Sequence, residues 1–133
     1  MTRHHGAPPS QRQLRVGEEI RHMLAQILAR GDLHDPELFD IAITVTEVRM
    51  SPDLRQATAF VTPLGGADME RVVAALKRAA PFLRGQIGRE LRLRYTPVLA
   101  FEPDRTFEEA GRIDRLLRGL DHDVDGNGGG DGA

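Results

Sequence analysis

Apolar residues recur at helical spacing between Val72 and Leu91, with basic and small residues between them. This spacing predicts one stripe that is buried against a core. Pro81 lies inside the stretch, and proline lacks the N–H that an interior helical position donates and disfavours helical backbone at the preceding residue. The pattern therefore predicts two helices joined by a bend at Ala79, Ala80 and Pro81, with both halves on the same surface.

A second amphipathic pattern covers residues 11–30 and predicts the first helix. Ser10 is a suitable N-cap residue, and Gly31 supplies a left-handed stop. Gly17 lies on the apolar side of this helix, where a glycine weakens helix formation. We expect Gly17 to mark close packing against another element.

Residues 41–50 are rich in β-branched residues and alternate in polarity, which predicts a strand. The apolar positions change face near Glu47, which indicates a bulge or a twist at that point. Residues 51–54 predict a turn with proline at its second position. Residues 56–62 predict an antiparallel partner strand.

Residues 92–102 predict a third strand, and Pro97 inside it is typical of an edge strand or a bulge. A last helix is expected to begin at Thr106, because Thr106 and Glu109 fit a capping box. The residues of the third strand that are expected to face inward are Leu93, Tyr95, Leu99 and Phe101.

The predicted order is helix, strand, strand, bent helix pair, strand, helix, which predicts a two-layer α+β domain over residues 10–118. The long helical connection between the second and third strands predicts that they share one mixed sheet. Residues 1–9 are polar and predict a flexible N-terminal arm. Residues 119–133 are rich in Gly and Asp and predict a disordered tail.

The chain has 133 residues and no cysteine, which excludes disulfide bonds and thiolate metal sites. His4 and His5 are adjacent, but no third metal ligand is near them in the sequence. No apolar run approaches the length of a membrane span, and the N-terminus has no apolar signal core. The composition therefore predicts a cytoplasmic protein that uses no metal.

Basic charge is concentrated between residues 77 and 94, where Glu90 is the one acid, although the net charge of the chain is -2. The guanidinium group of arginine can donate two hydrogen bonds to one phosphate group. Glycines in the same stretch let a phosphate approach the backbone. A solvated helix face is the alternative interpretation. The candidate phosphate-contacting residues are Lys77, Arg78, Arg84, Arg89, Arg92 and Arg94, with Arg12 and Arg15 as an extension of the same surface.

Three local strings in combination resemble the bacterial ribosome-binding factor A family. They are RVGEEIRHMLAQIL in the first helix, ITVTEVRMSPDLRQATAFVT across the hairpin and AAPFLRGQIGRELRLRYTPVLAFEPD across the bend and the last strand. The hairpin string contains a V-x-x-S-x-D-L turn made by Val48, Ser51, Asp53 and Leu54. The resemblance covers about residues 12–117, which is most of the chain.

The resemblance implies a type II KH-like domain with an additional C-terminal helix. KH modules commonly bind nucleic acid through a G-x-x-G loop between two helices, and this sequence has no such loop between its predicted helices. The resemblance implies instead a helix–kink–helix motif, which in this family is built around Ala-x-Gly. Ala79, Ala80 and Pro81 occupy those positions here, so proline stands where the family has glycine, which stiffens the bend.

The same resemblance implies a maturation factor that binds free small (30S) ribosomal subunits, assists late assembly and processing of the 16S rRNA ends, and is tied to growth in the cold. The expected partners are therefore the 30S subunit and 16S rRNA, held through phosphate contacts. We expect a monomer with no cofactor, no small-molecule substrate and no membrane contact.

Two other function classes are open to this sequence. An enzyme is disfavoured because the sequence has no P-loop, no H-E-x-x-H motif and no nucleophile elbow. The carboxylates of Glu47, Asp53 and Asp104 lie in or beside turns, where capping and solvent exposure explain them. The second alternative is a protein-interaction adaptor without direct RNA contact, which would dock through the last helix or the acidic tail.

Overall fold

The computed structural model describes residues 7–31 and 33–125. The chain divides into two compact units, one ending at Pro103 and one beginning at Asp104, so the predicted domain of residues 10–118 is divided at this point. The second unit contains one helix, α3 (Thr106–Asp125). The first unit contains α1 (Gln11–Arg30), β1 (Ile43–Met50), β2 (Gln56–Pro63), α2 (Met69–Glu90) and β3 (Val98–Pro103), with short 3-10 turns at Pro36–Leu38 and Leu64–Gly66.

The ends of α1 confirm both cap predictions. The Gln13 N–H donates to the Ser10 hydroxyl at 3.1 Å, and the Ser10 N–H donates to the Gln13 side chain at 2.8 Å, which makes a reciprocal capping box. Gly31 has a left-handed φ of 72° and ends the helix. The buried stripe of α1 consists of Val16, Gly17, Ile20, Leu24 and Ile27.

The sheet is mixed, with β2 in the centre, β1 antiparallel to it and β3 parallel to it. The register shifts between Val45 and Glu47, which confirms the predicted bulge. Because the bulge adds one residue to β1, Val45, Val48 and Met50 all face the core even though their spacing breaks simple alternation. The α1 helix packs on β1 and α2 packs on β3.

The third strand begins at Val98, whereas the sequence predicted a start at Arg92. Residues 91–97 connect the end of α2 to the sheet edge, and Pro97, which has no N–H for the ladder, is buried immediately before the strand. Leu99 and Phe101 face the core as predicted. Tyr95 does not, because it precedes the strand and is 51% exposed.

The α2 helix runs without interruption from Met69 to Glu90 and has Pro81 inside it. The prediction of two separate helices is therefore wrong. Leu76 and Leu83, on either side of Pro81, are fully buried in the same core. Each such leucine contributes about 1.5–3 kcal/mol, and together they offset the roughly 3 kcal/mol that an interior proline costs. A change of axis direction at Ala79, Ala80 and Pro81 within this continuous helix stays a prediction.

The α3 helix begins at Thr106 as predicted, and the Thr106 N–H donates to the Asp104 carboxylate at 2.9 Å. It continues to Asp125, so residues 119–125 are helical although the sequence placed them in a disordered tail. A single glycine such as Gly119 costs only about 1 kcal/mol of helix propensity relative to alanine, which does not by itself end a helix.

Parts of three predictions lie outside the described residues. They are residues 126–133 of the tail, residues 1–6 of the N-terminal arm together with His4 and His5, and the side chain of Glu109 in the capping box.

A substitution at Gly17 tests the packing of α1 on β1. A Cβ at this position would lie 2.6 Å from the Val48 carbonyl oxygen, and that backbone cannot yield without disturbing the sheet. We expect Gly17→Ala to lower the free energy of unfolding by about 1–3 kcal/mol despite the better helix propensity of alanine, as measured by urea unfolding.

Gly85→Ala is the matched control, because a Cβ there meets nothing within 4 Å. Gly85 is also helical, so alanine should raise the free energy of unfolding by about 0.5–1 kcal/mol. Equal effects of the two substitutions would contradict the close approach of α1 to the strand.

Candidate nucleic-acid interface

The α2 helix presents basic residues on its exposed side, outside its buried stripe. Lys77 and Arg84 are about two turns apart in one row, and Arg78 and Arg89 are about three turns apart in a second row. All four side chains are exposed. A polyanion that lies along this side can therefore meet guanidinium groups from both rows. The positions between the rows carry the small residues Ala74, Pro81, Gly85 and Gly88.

Two more arginines follow directly after α2. Arg92 and Arg94 lie in the segment between α2 and β3, and both are exposed. We refer to the α2 residues and these two together as the basic surface, which consists of Lys77, Arg78, Arg84, Arg89, Arg92 and Arg94.

Arg84 joins the helix to the segment that carries Arg92 and Arg94. Its Nη2 and Nε donate to the Thr96 carbonyl oxygen at 2.8 and 3.3 Å. One turn later, a Cβ on Gly88 would lie 2.9 Å from the Thr96 hydroxyl oxygen, so glycine permits this close approach. Arg84 therefore has a structural role in addition to any contact with a phosphate.

Arg78 is paired with a carboxylate of the preceding loop. Its Nη2 lies 3.0 Å from Asp35 Oδ2. The Glu37 N–H and, to a lesser extent, Arg78 hold the pKa of Asp35 below its ordinary value. Because an exposed ion pair contributes little, an incoming phosphate can compete for this guanidinium.

The remaining basic residues are less engaged. Arg89 makes one long contact, 3.5 Å, to the Gln86 side chain. Within residues 7–31 and 33–125, no hydrogen bond or ion pair holds the side chains of Lys77, Arg92, Arg12 or Arg15. Their charges are accordingly available to a phosphate ligand.

Arg12 and Arg94 come together at a cavity of about 290 Å³. Arg15, one turn further along α1, does not line the cavity. That Arg12 and Arg15 extend the basic surface stays a prediction. Tyr95 and Arg55 also line it, and the Arg55 guanidinium carbon is 4.3 Å from the centre of the Tyr95 ring.

Arg55 was not among the residues that the sequence analysis selected. It lies just before β2, and the Val98 N–H at the start of β3 donates to the Arg55 carbonyl at 2.9 Å. Parallel strands begin at the same edge of a sheet. Since Arg55 precedes β2 and Tyr95 precedes β3, the predicted crossover between these two strands was the signal that could have placed Arg55 near Tyr95.

Phe82 lies on the outer side of α2 and is 46% exposed. It lines a second cavity of about 210 Å³ with Ala79 and the loop residues Leu33, His34 and Asp35. The ring therefore borders a space between α2 and the loop that follows α1.

The described part of the chain has no group of three or more His, Cys, Asp or Glu side chains that could hold a metal ion. Over the same residues, no helix is both long enough and apolar enough to cross a membrane.

Comparison with known proteins gives a consistent result. The profile of the family described as "Ribosome-binding factor A" matches residues 12–117. A ribosome-binding factor A of Paramagnetospirillum magneticum is 56% identical over 121 residues, which covers 86% of this chain and 85% of that protein.

Solved structures show the same likeness. The solution structure of a Thermotoga maritima protein described as a putative ribosome binding factor A has a TM-score of 0.62 at 33% identity and covers 76% of this chain and 94% of its own. A homology model of Thermus thermophilus ribosome binding factor A, fitted into the cryo-EM map of a complex with 30S, has a TM-score of 0.57 at 30% identity. The match covers 69% of this chain and 94% of that one. The α+β, type II KH-like fold with an additional C-terminal helix is thereby confirmed.

The pKa of Asp53, in the turn between β1 and β2 beside the cavity, gives a test of the electrostatics of this turn. Asp53 Oδ1 accepts hydrogen bonds from the Ser51 hydroxyl at 2.7 Å and from the Arg55 N–H at 3.1 Å. The Ser51 hydroxyl first, and then the Arg55 N–H, lower the pKa of Asp53 from its ordinary value of 3.8. The ionised carboxylate therefore stabilises the fold above pH 3.8, and this contribution is lost as the pH falls through the lower folded-state pKa.

We expect Asp53→Asn to make the free energy of unfolding less dependent on pH below 3.8, as measured by urea unfolding across that range. Ser51→Ala removes the larger of the two causes and should reduce the same dependence in part. A pH dependence unchanged in both variants would contradict the role of this turn.

Proposed function

Because the chain belongs to the ribosome-binding factor A family, we propose that it binds the small (30S) ribosomal subunit through the basic surface. The observation that carries the proposal is the exposed basic side of α2 next to Arg92 and Arg94. The Thermus thermophilus relative, which is described in a 30S complex, supports it.

The chemistry of the surface favours phosphate contacts with 16S rRNA. Guanidinium groups are planar and form bidentate hydrogen bonds with phosphate oxygens. A broad aromatic platform for stacking successive bases is absent from a chain with no tryptophan and one tyrosine. Such a surface would recognise the shape of folded rRNA more than its base sequence.

The proposed role is assistance in late assembly and in processing of the 16S rRNA ends. We infer that the protein acts in the cytoplasm as a monomer and by binding rather than by catalysis. A small domain that holds rRNA phosphates in one arrangement could favour a mature conformation of the subunit without a chemical step of its own.

Charge reversal tests this proposal. Lys77→Glu combined with Arg89→Glu changes one residue in each row of α2, and neither side chain holds the fold together in the described contacts. We expect this double variant to lose cosedimentation with free small subunits on a sucrose gradient, because repulsion replaces attraction at two phosphate positions. Arg84 is left unchanged, since its contact with Thr96 would confuse a binding effect with a folding effect.

Arg112→Glu combined with Arg115→Glu is the matched control, because it changes the net charge equally on α3, where both side chains are exposed. This control should still cosediment. If both double variants cosediment equally well, the assignment of the basic surface is wrong.

A second candidate function is a protein-interaction adaptor, which the apolar side chains of α3 favour. Ile113, Leu116 and Leu117 are each more than half exposed. The same gradients at low and moderate salt separate the two functions, since phosphate contacts weaken steeply as salt rises and apolar docking does not.

A further inference from the structure

The cavity beside the β1–β2 turn has a composition that suits one nucleotide. Three arginines and one aromatic ring line it, and its volume of about 290 Å³ is at the lower end of the range for small-ligand sites. Tyr95 is the one tyrosine of the chain and is half exposed. The lining residues are Arg12, Asp53, Leu54, Arg55, Leu93, Arg94 and Tyr95.

The walls of this cavity are held by the turn between β1 and β2. The Ser51 N–H donates to the Gln56 carbonyl at 2.9 Å, and the Gln56 N–H donates to the Ser51 hydroxyl at 3.0 Å. Leu54 has a positive φ of 61°, which the Leu54 N–H bond to the Ser51 carbonyl at 2.9 Å helps to hold. A fixed turn presents Arg55 to a ligand with little ordering cost on binding.

The charges of the lining favour an anion. Asp53 is the carboxylate among the lining residues, and its Oδ1 already accepts two hydrogen bonds from within the turn. Arg12 and Arg94 make no ion pair or side-chain hydrogen bond with another described residue. The lining therefore carries three guanidinium groups and one carboxylate, which gives a net positive site.

An aromatic surface adds a preference beyond charge. The Arg55 guanidinium carbon lies 4.3 Å from the centre of the Tyr95 ring, and that of Arg94 lies 5.8 Å from it. Both a guanidinium plane and a tyrosine ring are surfaces on which an unpaired base stacks. A base in a duplex has no free face, so this combination selects an unpaired nucleotide.

We propose that this cavity binds one unpaired nucleotide of an RNA strand, with its phosphate held by Arg12 and Arg94 and its base stacked against the Tyr95–Arg55 pair. The proposal rests on the proposed function, because it names an RNA feature that the same protein would recognise when it binds the small subunit. It adds a contact with a base to a surface that otherwise contacts phosphates.

A single tryptophan provides a direct reporter. The chain has no tryptophan, so Tyr95→Trp places the one indole at the cavity while it keeps an aromatic face. The indole is excited at the red edge of its absorption, where RNA bases absorb little. We expect a short single-stranded oligoribonucleotide and adenosine monophosphate to quench it, and expect a matched RNA duplex or inorganic phosphate at equal concentration to leave it nearly unchanged.

Substitutions in the otherwise native chain test the assigned contacts, with a labelled oligoribonucleotide and anisotropy as the readout. Arg12→Gln and Arg94→Gln should each weaken binding about tenfold, as expected for the loss of a charge-assisted hydrogen bond. Tyr95→Ala should weaken binding about fivefold or more through lost stacking. Tyr95→Phe keeps the ring and should bind like the native chain.

Arg112→Gln is the charge-matched control outside the cavity and should bind like the native chain. Circular dichroism verifies the fold of each variant, and a variant that fails to fold is replaced by Arg12→Lys or Arg94→Lys, which keep the charge but not the fork geometry and should still bind more weakly. Equal quenching by inorganic phosphate, no response of the indole, or an equal loss in Arg112→Gln would overturn the proposal.

Cosedimentation with small subunits separates this proposal from the broader one. If the native chain cosediments but the indole does not respond to unpaired RNA, the nucleotide site is wrong and the proposed function stands. If the native chain does not cosediment at all, the proposed function fails, whatever the cavity binds.

Discussion

The structure depends on the burial of one side of α2 on the sheet, from Met69 to Ile87, without interruption at Pro81. Residues before and after the proline, including Val72, Leu76 and Leu83, occupy the same core. This continuous burial fixes which side of the helix meets solvent. The rows that contain Lys77 and Arg89 are exposed because the apolar stripe has only one orientation in which it contacts the sheet.

The same constraint connects the fold to the proposed function. Since α2 ends at the segment that crosses to β3, Arg92 and Arg94 follow the helix directly, and the contact of Arg84 with Thr96 ties that segment to the helix. The parallel pairing of β2 with β3 then brings Arg55 to Tyr95. The proposed phosphate-binding side of α2 and the cavity thus arise from neighbouring parts of one helix-to-strand connection.

The features that could be predicted from sequence are those that local residues determine. The residue type at one position and its immediate neighbours in sequence indicated the Ser10 cap, the Gly31 stop, the bulge near Glu47 and the close approach at Gly17. The continuity of α2 could not be predicted, because tertiary burial outweighs the local effect of Pro81. The partnership of Arg55 with Tyr95 could not be read from sequence spacing either, since these residues meet only through the strand pairing.

The central claim is that the exposed side of α2 faces the small subunit. The chain has no native cysteine, so a single Gly85→Cys variant places one thiol between the two basic rows, in open space. Its rate of alkylation should fall strongly when free small subunits are added, while the rate for a Thr44→Cys variant on the exposed face of β1, away from the helices, should change little. Equal rates with and without subunits at position 85, in a protein that still cosediments, would contradict the account.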